Sequence, residues 1–423
     1  MSVSIALTMS TWILTDTNRS ESMRITANRK NLLQAVRTAL KAVGSEQVME
    51  ELSGLLIEAE ESTGIISITG SSVHTQIQCR LRNEHVLEGG SIVMSPVVAD
   101  MLKLLGGETV EIGSAFNRLE IKSGTAKYNI AALEAEKYPK MQFPFPEDFI
   151  TVKGINSIIK RTAFATDTTS KDASKRSLEF VKLSFKGGKT IAEATNGNIA
   201  AISQTPHASD GNLDIVLHES ALNILANAVS PNDELYVGVT GSFAVFMKED
   251  LFFSSQIFDG DFIEGSKLMA YVKPKFKATV DAGELYDLAA NVTSILSGSD
   301  DQCVNMTIGN HSLAMQTKNA TSESKSEIKA TGAIPTGEEG YNFNPKWLLN
   351  CLKQVTGPTN VLLDEKGYLL LQANQSMYCV CPRRPVHIRV VEKKEKKPKE
   401  PKAEKKPRTK KTTKAKTEVA AAA

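Results

Sequence analysis

Residues 24–43 read RITANRKNLLQAVRTALKAV, a short β-strand pattern that runs directly into an amphipathic helix pattern. Two later stretches repeat this arrangement, ITVKGINSIIKRTAFAT at 150–166 and ATVDAGELYDLAANVTSIL at 278–296. The threonine of the strand pattern recurs after 125 and then after 128 residues. A fixed internal period is the signature of a repeated structural unit. The sequence therefore predicts one unit that occurs three times along the chain.

A second helix pattern recurs at nearly the same period, over 95–105, 218–229 and 344–355. Ser95 and Asn344 are each followed by proline, which is favoured at the first helical position, so both are predicted as helix N-caps. Alternating strand patterns lie between and after the two helices of each unit, at 54–81, 108–133, 178–204, 234–258 and 360–380.

The repeated pattern predicts an α+β fold built of three similar domains. Two helices cannot cover both faces of such a strand-rich unit, so they should lie together on one face of antiparallel sheet. We place the domains at 23–147, 148–272 and 273–391. Residues 1–22 are expected to be a disordered N-terminal extension or an upstream start, and 392–423 a disordered basic tail.

Charge is distributed unevenly along the 423 residues. The whole chain has 50 basic and 48 acidic residues, a formal net charge of +2. The tail, 392–423, holds 13 basic and 5 acidic residues, or +8, which leaves 37 and 43, or −6, for the body. A tail rich in lysine, proline and glutamate buries too little apolar surface to fold. It either binds a polyanion such as DNA or only keeps the protein soluble, and its sequence fits both functions.

No group of residues in the sequence predicts catalysis. The stretch Gly187-Gly188-Lys189-Thr190 imitates the end of a phosphate-binding loop, but Leu183 stands where that loop needs a glycine. A hairpin turn is the better interpretation. Cys379 and Cys381 are two apart on a predicted strand, and no second pair lies near them, which argues against a zinc site. We therefore expect no enzyme activity, no cofactor and no metal.

The sequence also indicates the compartment. Five cysteines in a chain of this length do not form the dense disulfide framework of a secreted domain. No apolar run reaches the 18 or so residues that a membrane-spanning helix needs. The first 22 residues have no basic start followed by a long apolar stretch, so a signal peptide is not predicted. We expect a cytoplasmic protein with no membrane partner.

Basic residues recur on the predicted helices. On the first helix Lys30, Arg37 and Lys41 share one face, with Arg29 beside them. Further basic residues on the other helices are Lys103, Lys160, Arg161, Lys346 and Lys353. Such a row is either an ordinary solvated surface or a lining that neutralises phosphates without reading sequence. The first helix of the third unit weakens the second interpretation, because it carries three acidic residues and no basic one.

Five stretches, in order, resemble the bacterial DNA polymerase III beta sliding clamps, and the resemblance spans about residues 23–384. The opening Met23-Arg24-Ile25-Thr26 is similar to the start of that family. Residues 131–133 (Ala-Ala-Leu) are followed by Tyr-Pro at 138–139, as in its first domain. Residues 194–200 resemble its Ala-Thr-Asp-Gly-His-Arg-Leu, 257–262 its Leu-Ile-Asp-Gly-Arg-Phe, and 378–384 its Tyr-Val-Val-Met-Pro-Met-Arg. Their order on a triplicated frame is specific, although no single motif is.

The resemblance implies a homodimeric ring of six units with sheets outside and helices inside. Double-stranded DNA would pass through the hole, bound without sequence preference. A clamp of this kind tethers the replicative DNA polymerase as a processivity factor and has no catalytic chemistry of its own. Its partners would be the polymerase and the clamp loader, bound through short peptide motifs. It would work at the nucleoid, in the host cytoplasm if the source is a phage or another mobile element.

The resemblance also implies a pocket for partner peptides between the second and third units. Matched position by position, the pocket residues are Thr195, Gly197, Ile199, Ile263, Leu268, Val380, Cys381 and Pro382. Arg176 matches a DNA-contacting arginine of the family, while Glu46 stands near the corresponding place in the first unit.

The pocket residues depart from the family pattern in three places. His-Arg-Leu becomes 198–200, Asn-Ile-Ala; Phe-Pro-Asp-Tyr becomes 262–265, Phe-Ile-Glu-Gly; and Met-Pro-Met becomes 381–383, Cys-Pro-Arg. These departures leave the shape of the pocket and its peptide preference open. The alternative function is a clamp-fold interaction scaffold that no longer encircles DNA.

Overall fold

The computed structural model describes most of the body of the chain. The described residues are 22–44, 49–139, 145–170, 172–207, 211–296, 302–319 and 321–383. The first strand starts at Ser22, one residue before the expected start of the fold. The expectations for the segment before it and for the basic tail lie outside the described residues, as does Glu46.

The described part of the first unit contains two α-helices and nine strands, in the predicted order. Its elements are β1 (Ser22–Asn28), α1 (Arg29–Leu40), β2 (Leu55–Glu60), β3 (Ile65–Ser71), β4 (Thr75–Leu81), β5 (His85–Glu88), β6 (Gly90–Met94), α2 (Val98–Leu104), β7 (Thr109–Ala115), β8 (Arg118–Ser123) and β9 (Ala126–Leu133). Helix α1 packs closely on β3 at Gly70, where a Cβ atom would lie 2.0 Å from the Ala39 carbonyl oxygen. Only glycine fits at that contact.

The second unit repeats this order and ends in an extra short helix. Its elements are β10 (Ile150–Lys153), α3 (Ile155–Thr162), β11 (Phe180–Lys186), β12 (Lys189–Thr195), β13 (Ile199–Pro206), β14 (Leu213–His218), α4 (Glu219–Ala228), β15 (Glu234–Thr240), β16 (Phe243–Lys248), β17 (Leu251–Gln256) and α5 (Gly265–Ala270). The Gly187-Gly188 pair forms the β11–β12 hairpin turn with φ angles of +59° and +68°, which confirms the hairpin interpretation.

The third unit again has a strand, a helix, strands, a helix and strands. Its elements are β18 (Phe276–Asp281), α6 (Ala282–Thr293), β19 (Val304–Ile308), β20 (Ser312–Lys318), β21 (Glu323–Lys329), β22 (Thr331–Ile334), β23 (Tyr341–Phe343), α7 (Pro345–Leu352), β24 (Pro358–Leu363), β25 (Leu369–Ala373) and β26 (Ser376–Val380). The α+β class with three repeated units is confirmed, while the domain boundaries given above stay predictions.

Two of the three predicted starts of the second helices, at His218 and Asn344, are confirmed. The side chains of Asn28, His218, Asp281 and Asn344 each accept hydrogen bonds from backbone N–H groups in the first turn of the following helix. The prediction for Ser95 was wrong. Helix α2 begins three residues later, at Val98, because residues 95–97 first form a tight turn in which Val98 N donates to the Ser95 carbonyl. The Ser95 Oγ atom accepts from Val97 N at 3.5 Å within this turn and does not cap the helix itself.

The sheets continue from one unit into the next, which the sequence pattern did not predict. Strand β4 of the first unit pairs with β17 of the second, and we call this pair the first seam. Strand β13 of the second unit pairs with β26 of the third, and we call this pair the second seam. These pairings join the units in a thirteen-stranded sheet and a nine-stranded sheet, and β21, β20, β19 and β23 form a separate four-stranded sheet.

The two seams have the same register. The β16–β17 and β25–β26 hairpins close at Leu251 and Ser376, so these two residues occupy equivalent positions. The β3–β4 and β12–β13 hairpins close at residues 76 and 200, which are equivalent in the same way. Leu251 lies opposite residue 79 and Ser376 opposite residue 203, three positions past the closing pair in both seams.

The main core lies between the helices and the sheets. The two predicted helices of each unit pack against each other, α1 on α2, α3 on α4 and α6 on α7. On β13, Ile199 and Ala201 belong to this core, whereas Ala200 belongs to a separate cluster with Met269 of α5. Since neighbouring residues of a strand point to opposite faces, α5 covers the face of the sheet opposite to α3. We call that face the outer face.

Described residues of the segment that links the two units pack on the outer face at each seam. In the first linking segment Tyr138 packs on Leu52 and Leu56, and Phe145 meets Phe252 edge-on at 6.5 Å between ring centroids. The second linking segment contributes α5, whose Met269 packs on Leu370 and other residues of the outer face. Both seams are therefore held by strand pairing and by a packed covalent connection.

Candidate partner-binding site and helix lining

The turn between β12 and β13 forms one wall of the predicted pocket. Thr195 Oγ1 donates to the Ile199 carbonyl at 2.8 Å and accepts from Gly197 N at 3.1 Å. Asn196 Oδ1 accepts from the N–H groups of Asn198 and Ile199 at 3.0 and 2.9 Å. Gly197 has a φ of +83°, a conformation that residues with a side chain rarely adopt. These bonds hold the turn in one conformation.

The C-terminal segment lies directly beside this turn. Val380 pairs with Ile199 at the end of the second seam, and Cys381 N donates to the Asn198 carbonyl at 2.9 Å. The Cys381 Sγ atom lies 3.7 Å from the Gly197 carbonyl oxygen. Pro382 follows and packs against Gly367, where an added Cβ would lie 3.1 Å from the proline Cβ. The structure thus brings the predicted turn and C-terminal residues into contact.

The third wall comes from the linking segment that contains α5. Ile263 and Leu268 are each 43% exposed, which is unusual for large apolar side chains in this chain. Between them, Gly265 lies so close to the sheet that a Cβ atom would be 3.2 Å from Ala200 Cβ and 3.4 Å from the Ala194 carbonyl oxygen. The exposed apolar pair therefore lies next to the turn, at the same end of the second seam.

Polar contacts that the sequence did not predict hold this wall in place. Lys182 Nζ lies 3.0 Å from Glu264 Oε1, and Glu193 Oε2 accepts two hydrogen bonds from Ser266. The cations of Lys267 and then Lys182 hold the pKa of the Glu264 carboxyl below its usual value. The one available sequence signal was Glu193 itself, a carboxylate within an otherwise apolar strand pattern.

The cysteines at this site are poor nucleophiles. Burial raises the pKa of the Cys379 thiol to about 12 and raises that of Cys381 as well. Both thiols are therefore protonated at neutral pH, and the thiolate is the reactive form. Within the described residues, no three histidine, cysteine, aspartate or glutamate side chains are placed to hold a metal ion. The arrangement suits an apolar peptide better than a reacting substrate.

All but one of the residues predicted to face DNA lie on or beside the helices that pack on the core, and the exception is Arg176. Arg29 and Arg161 are half-buried, and the exposed members of the set are Lys30, Arg37, Lys41, Lys103, Lys160, Arg176, Lys346 and Lys353. Arg176 lies in the 3-10 segment that precedes β11. Their role at DNA stays a prediction.

Two of these cations are engaged with backbone carbonyls. Arg29 donates to the carbonyls of Gly107 and Leu102 at 2.9 and 3.0 Å, at the C-terminal end of α2. Lys41 Nζ donates to the Asn227 carbonyl at 2.9 Å, at the end of α4 in the neighbouring unit. Partial burial lowers the pKa of Lys41. Cations are favourable at helix C-termini, so both side chains stabilise contacts between helices.

The first helix of the third unit, α6, carries the opposite charge. Asp281, Glu284 and Asp287 are all exposed on or beside α6. Asp281 is committed to capping, because its Oδ1 accepts from Gly283 N at 2.8 Å. The other two carboxylates leave α6 acidic where α1 is basic. None of the helices in the described part of the chain is long and apolar enough to cross a membrane.

Comparison with known proteins finds similarity to the DNA polymerase III beta sliding clamps. Residues 23–142 match the family model of the DNA polymerase III beta subunit, N-terminal domain. The beta sliding clamp of Staphylococcus epidermidis is 22% identical over 348 residues, which cover 79% of this chain and 90% of the relative. That of Staphylococcus aureus is 21% identical over 346 residues, with the same coverage of both chains.

Solved structures of sliding clamps share the fold. The DNA polymerase sliding clamp of Bacillus subtilis matches with a TM-score of 0.76 and 21% identity, covering 86% of this chain and 99% of that one. A sliding clamp of Pseudomonas aeruginosa, solved bound to griselimycin, matches with a TM-score of 0.77 and 20% identity, covering 86% and 100% of the two chains. The likeness therefore extends well beyond the N-terminal domain.

Proposed function

We propose that this chain is a DNA sliding clamp, because it is a divergent relative of the DNA polymerase III beta sliding clamps. Two copies form a closed ring around duplex DNA and tether the replicative polymerase, with no catalytic chemistry of their own. The ring works in the cytoplasm, at the nucleoid or on viral DNA. The observation that carries this proposal is the repeated seam, because the pattern of two seams leaves two strand edges that a second copy would pair.

Those edges belong to β21 and β9. Within the described residues, β21 pairs only with β20, and the outer edge of β9 is unpaired over 126–131. Strand β21 is the counterpart of β4 and β13, while β9 is the counterpart of β17 and β26. Pairing β21 of one copy with β9 of another repeats the seam a third time. Two copies then close a ring of six units in which every unit is joined to both neighbours by a seam.

The register of this third seam follows from the other two. Hairpins β8–β9 and β20–β21 close at Ala126 and Glu323. Counting as in the first two seams places Ala126 opposite Ser326 and Tyr128 opposite Ser324. The half-buried side chains of both strands then share the face that points to the core, and the exposed ones share the outer face. The faces match without any change in either strand.

The helix lining supports sequence-independent DNA binding. Exposed cations on the first two units, such as Lys30, Arg37 and Lys160, suit contacts to phosphates. Because α6 is acidic, the helix lining as a whole carries less positive charge than the helices of the first unit alone would indicate. Retention then depends on closure of the ring more than on tight electrostatic contacts. We assign the basic tail no role in closure.

The pocket at the end of the second seam is proposed as the site for polymerase and clamp-loader peptides. Its exposed apolar pair, Ile263 and Leu268, suits leucine and phenylalanine anchors of a short motif, the few residues that dominate such interfaces. Polar groups of the turn suit a glutamine-type anchor. Substitution of Leu268 by alanine should weaken binding of such a peptide, and unchanged affinity would refute the assignment.

A cross-linked ring tests encirclement directly. In the variant Ala126→Cys/Ser326→Cys, the proposed third seam places the two new thiols directly opposite each other. The protein is mixed with nicked circular plasmid, oxidised and denatured with detergent. Covalently closed rings should stay on the circular plasmid and should be lost from a parallel sample that a restriction enzyme linearises before the detergent is added. The single variant Ala126→Cys is the control and should leave no protein on either form.

The outcomes separate the ring from its alternative. Retention on circular DNA alone supports the clamp. Efficient cross-linking with equal loss from both forms of DNA would instead favour a clamp-fold scaffold that no longer encircles DNA. Absence of any cross-link between copies would refute the third seam.

A further inference from the structure

The outer-face segment 264–268 is attached to the second unit by two polar anchors. Lys182 of β11 contacts Glu264 Oε1 at 3.0 Å and Asp214 Oδ2 at 3.2 Å. Glu193 of β12 accepts from both the backbone N and the Oγ of Ser266, at 3.0 and 2.9 Å. The anchored residues alternate along the segment and lie between Ile263 and Leu268. The segment is thus held at Glu264 and Ser266, between its two exposed apolar residues.

The two anchoring side chains form one unit on the sheet. Lys182 and Glu193 lie directly opposite each other in the β11–β12 pair, so they point to the same face. The Lys182 side chain is 13% exposed and Glu193 is 6% exposed. Charges this buried need partners, and removal of one partner is costly because the other is left without compensation. Their partners are therefore held in narrowly defined positions.

The backbone of the anchored segment needs this support. Gly265 lets the chain approach Ala200 closely, but glycine also leaves the backbone the most conformational freedom. Ile263 stands where the resemblance expects proline, which would have fixed the local φ angle. A glycine at 265 and the lack of a proline at 263 thus both increase the backbone freedom of the pocket wall. The anchors restrict the same residues through side chains instead.

We propose that Lys182 and Glu193 are positioning residues of the partner-peptide pocket, which hold Ile263 and Leu268 in the binding arrangement before a peptide arrives. This inference rests on the proposed function, because it assumes that the pocket binds partner peptides. Neither residue needs to contact the peptide. Their effect is to remove the ordering cost that a mobile wall would add to binding.

The test compares four single variants with the full-length protein. The probe is a fluorescein-labelled synthetic peptide with glutamine, leucine and phenylalanine anchors, followed by fluorescence anisotropy. Lys182→Met should weaken binding about fivefold to tenfold, and Ser266→Ala about twofold to threefold. Lys182→Arg keeps the ion pairs and should bind within about twofold of the unchanged protein. Lys153→Met is the matched control, since it breaks an exposed ion pair with Glu234 in the same unit and should change nothing.

Hydrogen exchange of the backbone amides at 264–268, without peptide, gives a second measurement. Lys182→Met and Ser266→Ala should speed exchange in this segment while the β11 and β12 amides stay protected. Normal exchange in both variants, or unchanged peptide affinity in both, would overturn the proposal. If the unchanged protein binds no peptide, the pocket assignment fails, and the exchange result alone decides whether Lys182 and Glu193 hold the segment.

Discussion

The two seams inside the chain and the proposed seam between copies share one backbone register but differ in their side chains. At the equivalent position the first seam pairs Ile77 with Phe253, and the second seam pairs Ala201 with Tyr378. All four side chains are fully buried. The third would set Ser324 against Tyr128. A serine in place of isoleucine or alanine removes apolar contact from the centre of the interface. The same pairing geometry therefore supports seams of unequal strength.

Contacts outside the strands widen this difference. Lys41, the residue that ends α1, bonds to a carbonyl of the next unit across the first seam. Its counterpart at the end of α6 is Ser294, whose hydroxyl donates to Asn291 of its own helix. The proposed seam between copies also has no linking segment across its outer face. The comparison shows that strand pairing sets the geometry of such a joint, while side chains and linking segments set its stability.

The largest expected effect comes from blocking the edge of β21. By the register of the seams, the N–H of Lys325 points towards β9 of the second copy. Lys325→Pro removes that donor and places a ring at the interface, while an edge strand tolerates proline within its own copy. Dimer affinity should fall on the order of a hundredfold. Sedimentation velocity should show a species near 45.9 kDa in place of one near twice that mass.

The control for this variant is Lys325→Thr, which removes the charge but keeps the N–H. It should leave the dimer nearly unchanged. A dimer that survives Lys325→Pro at low micromolar concentration would show that the two copies associate through another surface, and the comparison of seams would then lose its third member.

A moderate effect should follow from making the third seam resemble the first. Ser324→Ile introduces the side chain that the first seam has at this position, where it would pack on Tyr128. The added buried apolar surface should tighten the dimer about tenfold. Lys325→Ile adds the same side chain to the outer face of the same strand and should tighten it much less. Equal effects of the two substitutions would contradict the proposed register.

The smallest effect separates Lys41 from Lys30, which lies at the opposite end of α1. Lys41→Met removes the bond to Asn227 and should lower the free energy of unfolding by about 1 kcal/mol, a drop of a few degrees in melting temperature. The salt dependence of DNA retention should change little. Lys30→Met should do the reverse, because Lys30 is exposed and has no assigned structural contact. If both variants change only DNA retention, Lys41 acts as a DNA contact after all.

The sequence predicted the features that depend on local pattern. Helical spacing and the capping residue Asn344 located most helices to within a few residues, because caps act on adjacent backbone groups. The prediction of a helix cap at Ser95 was wrong, because a serine-proline pair also suits a tight turn before a helix. The hairpin at Gly187 was predictable because positive φ angles at both turn residues favour glycine.

The features that join distant parts of the chain were not predictable in this way. Pairing of β4 with β17 brings together residues about 175 positions apart, and nothing local records that choice. Arg29 and Lys41 look like surface cations in the sequence, because their partners are backbone carbonyls that any residue could supply. The anchors of the pocket wall were missed for a related reason. Lys182 contacts Glu264 and Glu193 contacts Ser266, and the partners in both pairs are more than 70 positions apart in the sequence.

The linking segments that cross the first two seams have a consequence for assembly. A covalent connection keeps the two strands of a seam at an effective local concentration on the order of millimolar, so these seams re-form whatever the amount of protein present. The joint between copies has no such tether, and its closure depends on how much protein surrounds it. The abundance of the chain in its cell would then decide what fraction of rings is closed, and a drop in expression would lower that fraction by opening this joint and no other.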